Sequence, residues 1–250
     1  VYTAQCAKIK GVPKIVDHDA VRTGLADAAM RLLEQEGLPA ISVRQVAREA
    51  GVTPGYLRHY YPTQVDLERA LTIRTAMDAR DRIAAILEWP GDGEPRDGNP
   101  EGRDSGAQSA GEDGAGVEGR GRYGRARIRA SLAELLPLDR RRRLEVQVAY
   151  RFIISAGDLP EYGEDLALLV TGMRSMTRFA VTDMAGLDHE WNYMQPLADP
   201  DLENRAELLA ELLDGISLYG MQTPSATADD LLARLDTALD WVADPLTPNA

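Results

Sequence analysis

"SVRQVAREAGVTPGYLRHYYPTQVDLERAL", residues 42–71, decides the fold. It contains two short helical periods broken by a glycine. Ser42 is a good N-cap, and Gln45 three residues on completes a capping-box pattern. Val43, Val46, Ala47 and Ala50 then recur at helical spacing until Gly51 stops the run. Thr53-Pro54 opens the next helix with a capping hydroxyl and a proline at the first helical position, where its missing N–H does no harm. Pro62 ends it. Joined through "EAGVT", residues 49–53, the two helices form a helix-turn-helix pattern: Gly51 permits the tight turn and Val52 fills the space between them.

The second of these helices has an uncommon composition. "GVTPGYLRHYYP", residues 51–62, holds three tyrosines, an arginine and a histidine, in a chain with 2 phenylalanines and 3 histidines. Leu57 and the ring of Tyr61 suit a core. Thr53, Tyr56, Arg58, His59 and Tyr60 are then left for the end that, in helix-turn-helix proteins, enters the major groove of DNA. Hydroxyls and rings bond or pack against phosphates, and arginine reaches a guanine edge. Pro54 and Gly55 keep the helix start slim, so that backbone can approach bases.

Working outward, the rest of the chain also reads as helix. Val21, Leu25, Ala28, Ala29, Leu32 and Leu33 mark one face of a first helix that Gly37 ends. A fourth is expected over 64–88, with Leu67, Ala70, Leu71, Met77, Ile83, Ala84 and Leu87 as its apolar side. Further helices are expected at about 123–136, 138–156, 160–185, 203–221 and 227–243. Residues 90–122 are dominated by Gly, Pro, Asp, Glu, Ser and Arg, with Val117 as their one large aliphatic, which predicts a disordered insertion. No strand pattern or repeat is present. The expectation is an all-α protein: a tail at 1–16, a helix-turn-helix domain at 17–66 and a helical body at 67–250.

Charge is divided unevenly. The net charge is −12, which by itself argues against nucleic acid. Residues 1–74, however, carry 10 basic and 8 acidic side chains, while residues 145–250 carry 5 and 19. The acidity belongs to the C-terminal part. Cys6 is the only cysteine, so no internal disulfide forms and a reducing, cytoplasmic setting is expected. No run approaches a membrane span, and no secretory leader pattern opens the chain.

These residues carry a family resemblance. Over roughly 17–71 the spacing resembles the DNA-binding region of TetR-type (tetracycline-repressor-like) bacterial transcriptional regulators, whose pattern runs "IA..AGVS.G.LY.YF..K..L" into a long fourth helix. "LPLDRRRRLEVQVAYRF" (136–152) and "ENRAELLAELLDGISLYG" (203–220) resemble, less closely, the C-terminal half of the BetI-like branch. The resemblance implies a phosphate-contacting hydroxyl at Thr53 and base-reading positions at Pro54, Gly55 and Tyr56. Tyr61 replaces the usual phenylalanine. Two positions depart. The aromatic after the leucine is Arg58, which moves a phosphate contact to Tyr60 or turns one into base readout. The lysine that opens the fourth helix is Gln64, which removes one charge-assisted contact and should flatten the salt dependence. Arg44 matches a position that reads guanine in some members; by itself it reads equally as a surface charge. His59 reads either as a phosphate contact or as a solvated side chain.

The resemblance also implies a homodimer and a small-molecule effector. Leu202, Ala206, Leu209, Leu213 and Ile216 form one apolar stripe and Leu231, Leu235, Leu239 and Val242 another; two copies could bury both in a four-helix interface, or each could pack on its own subunit. Tyr150, Phe152, Met173, Met176, Phe179 and Trp191 belong to a Met and aromatic stripe that reads as core from pattern alone and as an effector pocket from the resemblance. The acidic surroundings favour a neutral or cationic effector. The arginine run 140–143 reads as a solvated charge face. The expected mechanism is a repressor on a palindromic operator, released when effector binding changes the spacing of its reading helices.

Two other classes of function compete. For an enzyme, His18, His59 and His189 lack metal-ligand spacing, Cys6 stands alone, and no nucleophile elbow or phosphate-cradling loop is present, so neither catalysis nor a cofactor is expected. For a helical protein-binding adaptor, the helix-turn-helix would be vestigial, and Arg58 and Gln64 are the departures that keep that alternative open.

Overall fold

The structure is a computed structural model that describes residues 17–88, 121–189 and 192–243. The expected tail at 1–16, all but residues 121–122 of the expected insertion at 90–122, and Trp191 lie outside the described residues. Those described are all-α, with nine α-helices and no strand. They fall into two compact units, one ending at Gln64 and the other beginning at Val65.

The first unit contains α1 (His18–Glu36), α2 (Val43–Glu49) and α3 (Pro54–Tyr60). Asp17 caps α1, its carboxylate accepting from the N–H groups of Asp19 and Ala20. Leu25, Ala28, Ala29, Leu32 and Leu33 are buried along α1, joined by Val46 and Ala47 of α2 and Leu57 of α3. Between α2 and α3, Gly51 adopts φ 69°, a left-handed conformation costly for any residue with a Cβ. There the Gly51 N–H donates to the Arg48 carbonyl and the Val52 N–H to the Ala47 carbonyl, closing the helix end by the two reversed bonds of a Schellman motif. The capping box at Ser42 differs from expectation in one detail. Its hydroxyl accepts from the Gln45 N–H, but it donates to Gln45 Oε1, so the two side chains bond each other.

The second unit takes in α4 (Gln64–Glu88) from Val65 on, then α5 (Gly124–Ala133), α6 (Arg140–Ala156), α7 (Gly163–Met184), α8 (Pro200–Gln222) and α9 (Ala228–Ala243). Its main core is built from α5, α7, α8 and α9, with Ile128, Leu132, Leu209, Leu213, Leu231 and Leu235 at its centre. Gly220 allows α8 and α9 to close: a methyl group there would sit 2.8 Å from Leu231 Cδ1 and 3.1 Å from Pro137 Cγ. No helix among the described residues is long and apolar enough to cross a membrane.

Three expectations are corrected here. The two stripes assigned to a dimer interface lie inside the chain's own core: Ala206, Leu209, Leu213, Ile216, Leu231, Leu235, Leu239 and Val242 are all buried, and Leu202 is half-buried. Side chains already covered by their own subunit cannot also meet a second copy. The buried side of α4 is more polar than its apolar pattern predicts, with Glu68, Thr72 and Thr75 beside Leu67, Leu71, Ala79 and Ile83, while Met77 is exposed. The arginine run is mostly engaged: Arg141 pairs with Asp78 and Glu145, Arg142 with Asp139 and Glu134, and Arg143 donates to the Gly220 carbonyl at 3.0 Å.

Candidate nucleic-acid interface

The outward side of α3 is assembled as the sequence suggests. Thr53 caps the helix, its hydroxyl accepting from the Tyr56 N–H at 3.2 Å, and Pro54 occupies the first turn. Leu57 is fully buried, which fixes the rotation of the helix. Thr53, Pro54, Gly55, Tyr56, Arg58 and His59 are in consequence exposed together. Tyr61 is buried and its hydroxyl donates to the Arg22 carbonyl of α1 at 3.0 Å, so the C-terminal end of α3 is pinned.

Two assigned DNA contacts fall elsewhere. Tyr60 is buried, and its hydroxyl lies 3.1 Å from His18 Nδ1. With Leu57 inward, the residue three further on also turns inward, and a tyrosine there can be buried because its hydroxyl finds a partner. Gln64 is half-buried, its amide donating to the Ile41 carbonyl at 3.1 Å. It braces the segment before α2 and is not held out for a phosphate. Conversely, Arg48 went unnoticed in the sequence. It stands four residues after Arg44 on α2, one helical turn away, and both are exposed. The guanidinium groups of Arg44, Arg48 and Arg58 make no ion pair or hydrogen bond to any described residue. The i, i+4 spacing of two arginines was the available signal.

Comparison with known proteins agrees with this geometry. The model for bacterial regulatory proteins of the tetR family matches residues 25–71, and the model for the C-terminal part of BetI-type transcriptional repressors matches residues 124–243. The chain belongs to the TetR family. Within it, the chain is 27% identical over 227 residues to the HTH-type transcriptional regulator PksA of Bacillus subtilis, an alignment covering 90% of each chain. It is 36% identical over 90 residues to the regulator BetI of Brucella canis, covering 30% of this chain and 46% of that one. Among solved structures, a transcriptional regulator from Rhodococcus sp. Rha1 shares the fold, with a TM-score of 0.59 at 22% identity over 88% of this chain and 95% of that one.

In the body of this TetR-family chain, the described residues assigned to an effector pocket separate into three places. Phe152 is buried with Ala156 and Tyr162 in a small cluster that Val65, Leu159, Leu166 and Leu169 flank. Met173, Met176 and Phe179 are half-buried against the main core. Tyr150 is half-buried, its hydroxyl donating to the Asp214 carbonyl at 3.2 Å; burial first, then the charge of Asp214, pushes the phenol up to about 12.

Around Phe179 stands a group of residues that no sequence motif marks. His189 stacks on Phe179 with ring centroids 4.7 Å apart, and Tyr123 and Tyr193 pack at its edges. Asp183, fully buried at the end of α7, accepts from the backbone N–H groups of Tyr123 and Gly124 and lies 2.9 Å from His189 Nε2. The Tyr193 hydroxyl lies 2.8 Å from His189 Nδ1. This is a titratable cluster, but its carboxylate is spent on the N-terminus of α5, as helix ends require. Next to it, Arg178 forks onto Glu203 through contacts of 2.6–3.1 Å and donates to the Tyr193 carbonyl, while Glu203 also accepts from the Leu197 N–H. Bonding to Arg178, opposed by desolvation and aided by Leu197, holds the Glu203 carboxyl below its ordinary range. Together these bonds staple the segment after α7 to α5, α7 and α8. Among the described residues, no group of three His, Cys, Asp or Glu is arranged to hold a metal.

Proposed function

We propose that this TetR-family chain is a ligand-released repressor that holds a palindromic operator as a homodimer. The observation that carries the reading is the outward face of the helix-turn-helix: three exposed arginines with no acidic partner among the described residues, beside Thr53, Tyr56 and His59. A protein net negative by 12 charges keeps uncompensated cations on one face where a polyanion is to be met. In this reading α3 enters the major groove, Thr53 and His59 contact phosphates, Tyr56 and Arg58 read base edges, and Arg44 and Arg48 flank the site from α2.

The dimer face is the outward side of α8 and α9, where Leu212, Leu218 and Trp241 are exposed and Gly215 opens onto free space. A homodimer interface of this kind presents the same patch twice. The half-burial of Met173, Met176 and Phe179, which leaves side-chain surface to cover, supports an effector site beside them, and the acidic body favours a neutral or cationic ligand.

The test is binding of the purified chain to duplex DNA from upstream of its own gene at several salt concentrations, beside a Tyr56→Ala/Arg58→Ala double variant. Saturable, salt-sensitive binding that the variant loses supports the reading. Binding that the variant keeps rejects α3 as the reading helix. Failure to bind this duplex and any fragment of a genomic selection favours the adaptor.

A further inference from the structure

α8 carries a glycine for which its own chain gives no reason. Gly215 is interior to the helix and exposed, and a Cβ built there would meet nothing within 4 Å. Glycine inside a helix is less stable than alanine, because it loses more backbone freedom on folding. Gly220 of the same helix has its reason in the close approach of Leu231 and Pro137. Gly24 of α1 and Gly172 of α7 are as open as Gly215, but neither has an exposed leucine three residues to each side. Gly215 does: Leu212 and Leu218 are both exposed. Four residues to each side stand Glu211 and Tyr219. Glu211 is exposed, with no ion pair or hydrogen bond to any described residue. The Tyr219 ring is covered by the guanidinium of Arg234 from α9 at 4.0 Å. Arg234 is exposed and has no salt bridge among the described residues, since Asp230, one turn before it, is bonded to Thr227.

This outward face is complementary to itself. When two copies of a helix cross antiparallel about a two-fold axis, the residue a given distance before the axis meets the residue the same distance after it. An axis at Gly215 sets Leu212 against Leu218 of the second copy. It sets Glu211 against Tyr219 of the second copy and the Arg234 guanidinium that lies over that ring. An axis one turn earlier would oppose the two Glu211 carboxylates, and one turn later the two Arg234 guanidinium groups; like charges so placed are costly. At the axis a side chain would meet its own copy, and the distance between packed helices is set by the side chains at the contact, so glycine allows the closest crossing. We propose that α8 packs antiparallel on α8 of a second copy of this chain with the two-fold axis at Gly215, pairing Leu212 with Leu218 and Glu211 with Arg234 across the interface. The inference rests on the homodimer reading above and assigns its register.

The experiment measures self-association of the full chain by sedimentation over a dilution series. Gly215→Ala should keep or raise the thermal midpoint of the dilute chain, as alanine does at an exposed helical position, while weakening association about tenfold. Glu211→Arg and Arg234→Glu should each weaken it roughly fivefold, and the two together in one chain should restore it, because the pair is reversed and kept. In a Cys6→Ser background, chains carrying Leu212→Cys and chains carrying Leu218→Cys should be joined by a short bismaleimide when mixed, and far less when either is treated alone. An association constant unmoved by Gly215→Ala, a charge-reversed pair that stays weak, or cross-linking as strong within one variant as in the mixture would each overturn the register. A chain that sediments as a monomer at every concentration removes the homodimer reading and this inference with it. A dimer indifferent to all these changes removes the register alone.

Discussion

The arginines of the two units are put to opposite uses. In the second unit most are consumed by the fold, Arg140 at the exposed start of α6 excepted: Arg82 lies between Glu134 and Glu145, Arg151 on Glu68, Arg129 on Asp236, and Arg178 on Glu203 with only 4% of its surface exposed. In the first unit Arg31 is paired with Glu49, but Arg44, Arg48 and Arg58 are held out without an acidic partner among the described residues. A paired arginine supports a structure; an uncompensated one is available to a ligand. Net charge summed over the chain hides this, because it counts both alike.

The contrast can be broken by removing one arginine of each kind. Arg178→Ala leaves half-buried Glu203 without its buried partner and should cost about 1–3 kcal/mol, seen as a clear fall in the thermal midpoint. Arg58→Ala should change stability by less than about 0.5 kcal/mol and act on DNA affinity instead. If Arg58→Ala destabilises as much as Arg178→Ala, the division of labour is wrong. In the same comparison the Tyr56→Ala/Arg58→Ala double variant should lose roughly 2–4 kcal/mol of operator binding in a titration, with its melting curve unmoved. Arg44→Ala and Arg48→Ala should each lower the slope of log affinity against log salt by about 1, and a slope unchanged in either would remove that residue from the interface.

A pH series sharpens the other side. The carboxyl of Glu203 is depressed by Arg178, and that of Asp139 by the Arg142 N–H and guanidinium although burial pushes it up. A depressed folded-state value contributes stability above the ordinary carboxylate range and loses it as pH falls through the depressed value. The body should therefore lose stability below about pH 4, and Glu203→Gln should flatten that acid limb. Smallest in its effect on either unit alone, Trp241→Glu on α9 should leave folding intact and weaken self-association in sedimentation; an unchanged association constant would move the dimer face elsewhere.

Where the signal was local, the sequence read well. The caps Ser42 and Thr53, the stop at Gly51 and the burial of Leu57 depend on residues within one or two turns of each other. Such features are written in short windows, and so were the exposed positions of α3. Tyr60 turns inward with Leu57 three residues before it, but the partner that lets its hydroxyl be buried, His18, is 42 residues away and is not visible in that window. The α8 and α9 stripes were misassigned for a related reason. An apolar face states that it will be covered, and it is silent on whether the cover comes from its own chain or another.

By itself, then, the sequence determined an all-helical chain with a helix-turn-helix, its family, and which end of α3 faces out, since periodicity, caps and turn glycines act over a few residues. Only the tertiary structure decided which arginines are spent in ion pairs, that Tyr60 turns inward onto His18, that Gln64 braces Ile41, and that Asp183, His189 and Tyr193 meet beside Phe179. Those are pairings between distant segments, and a charge or a ring acquires its role only from the partner that the fold brings within a few ångströms.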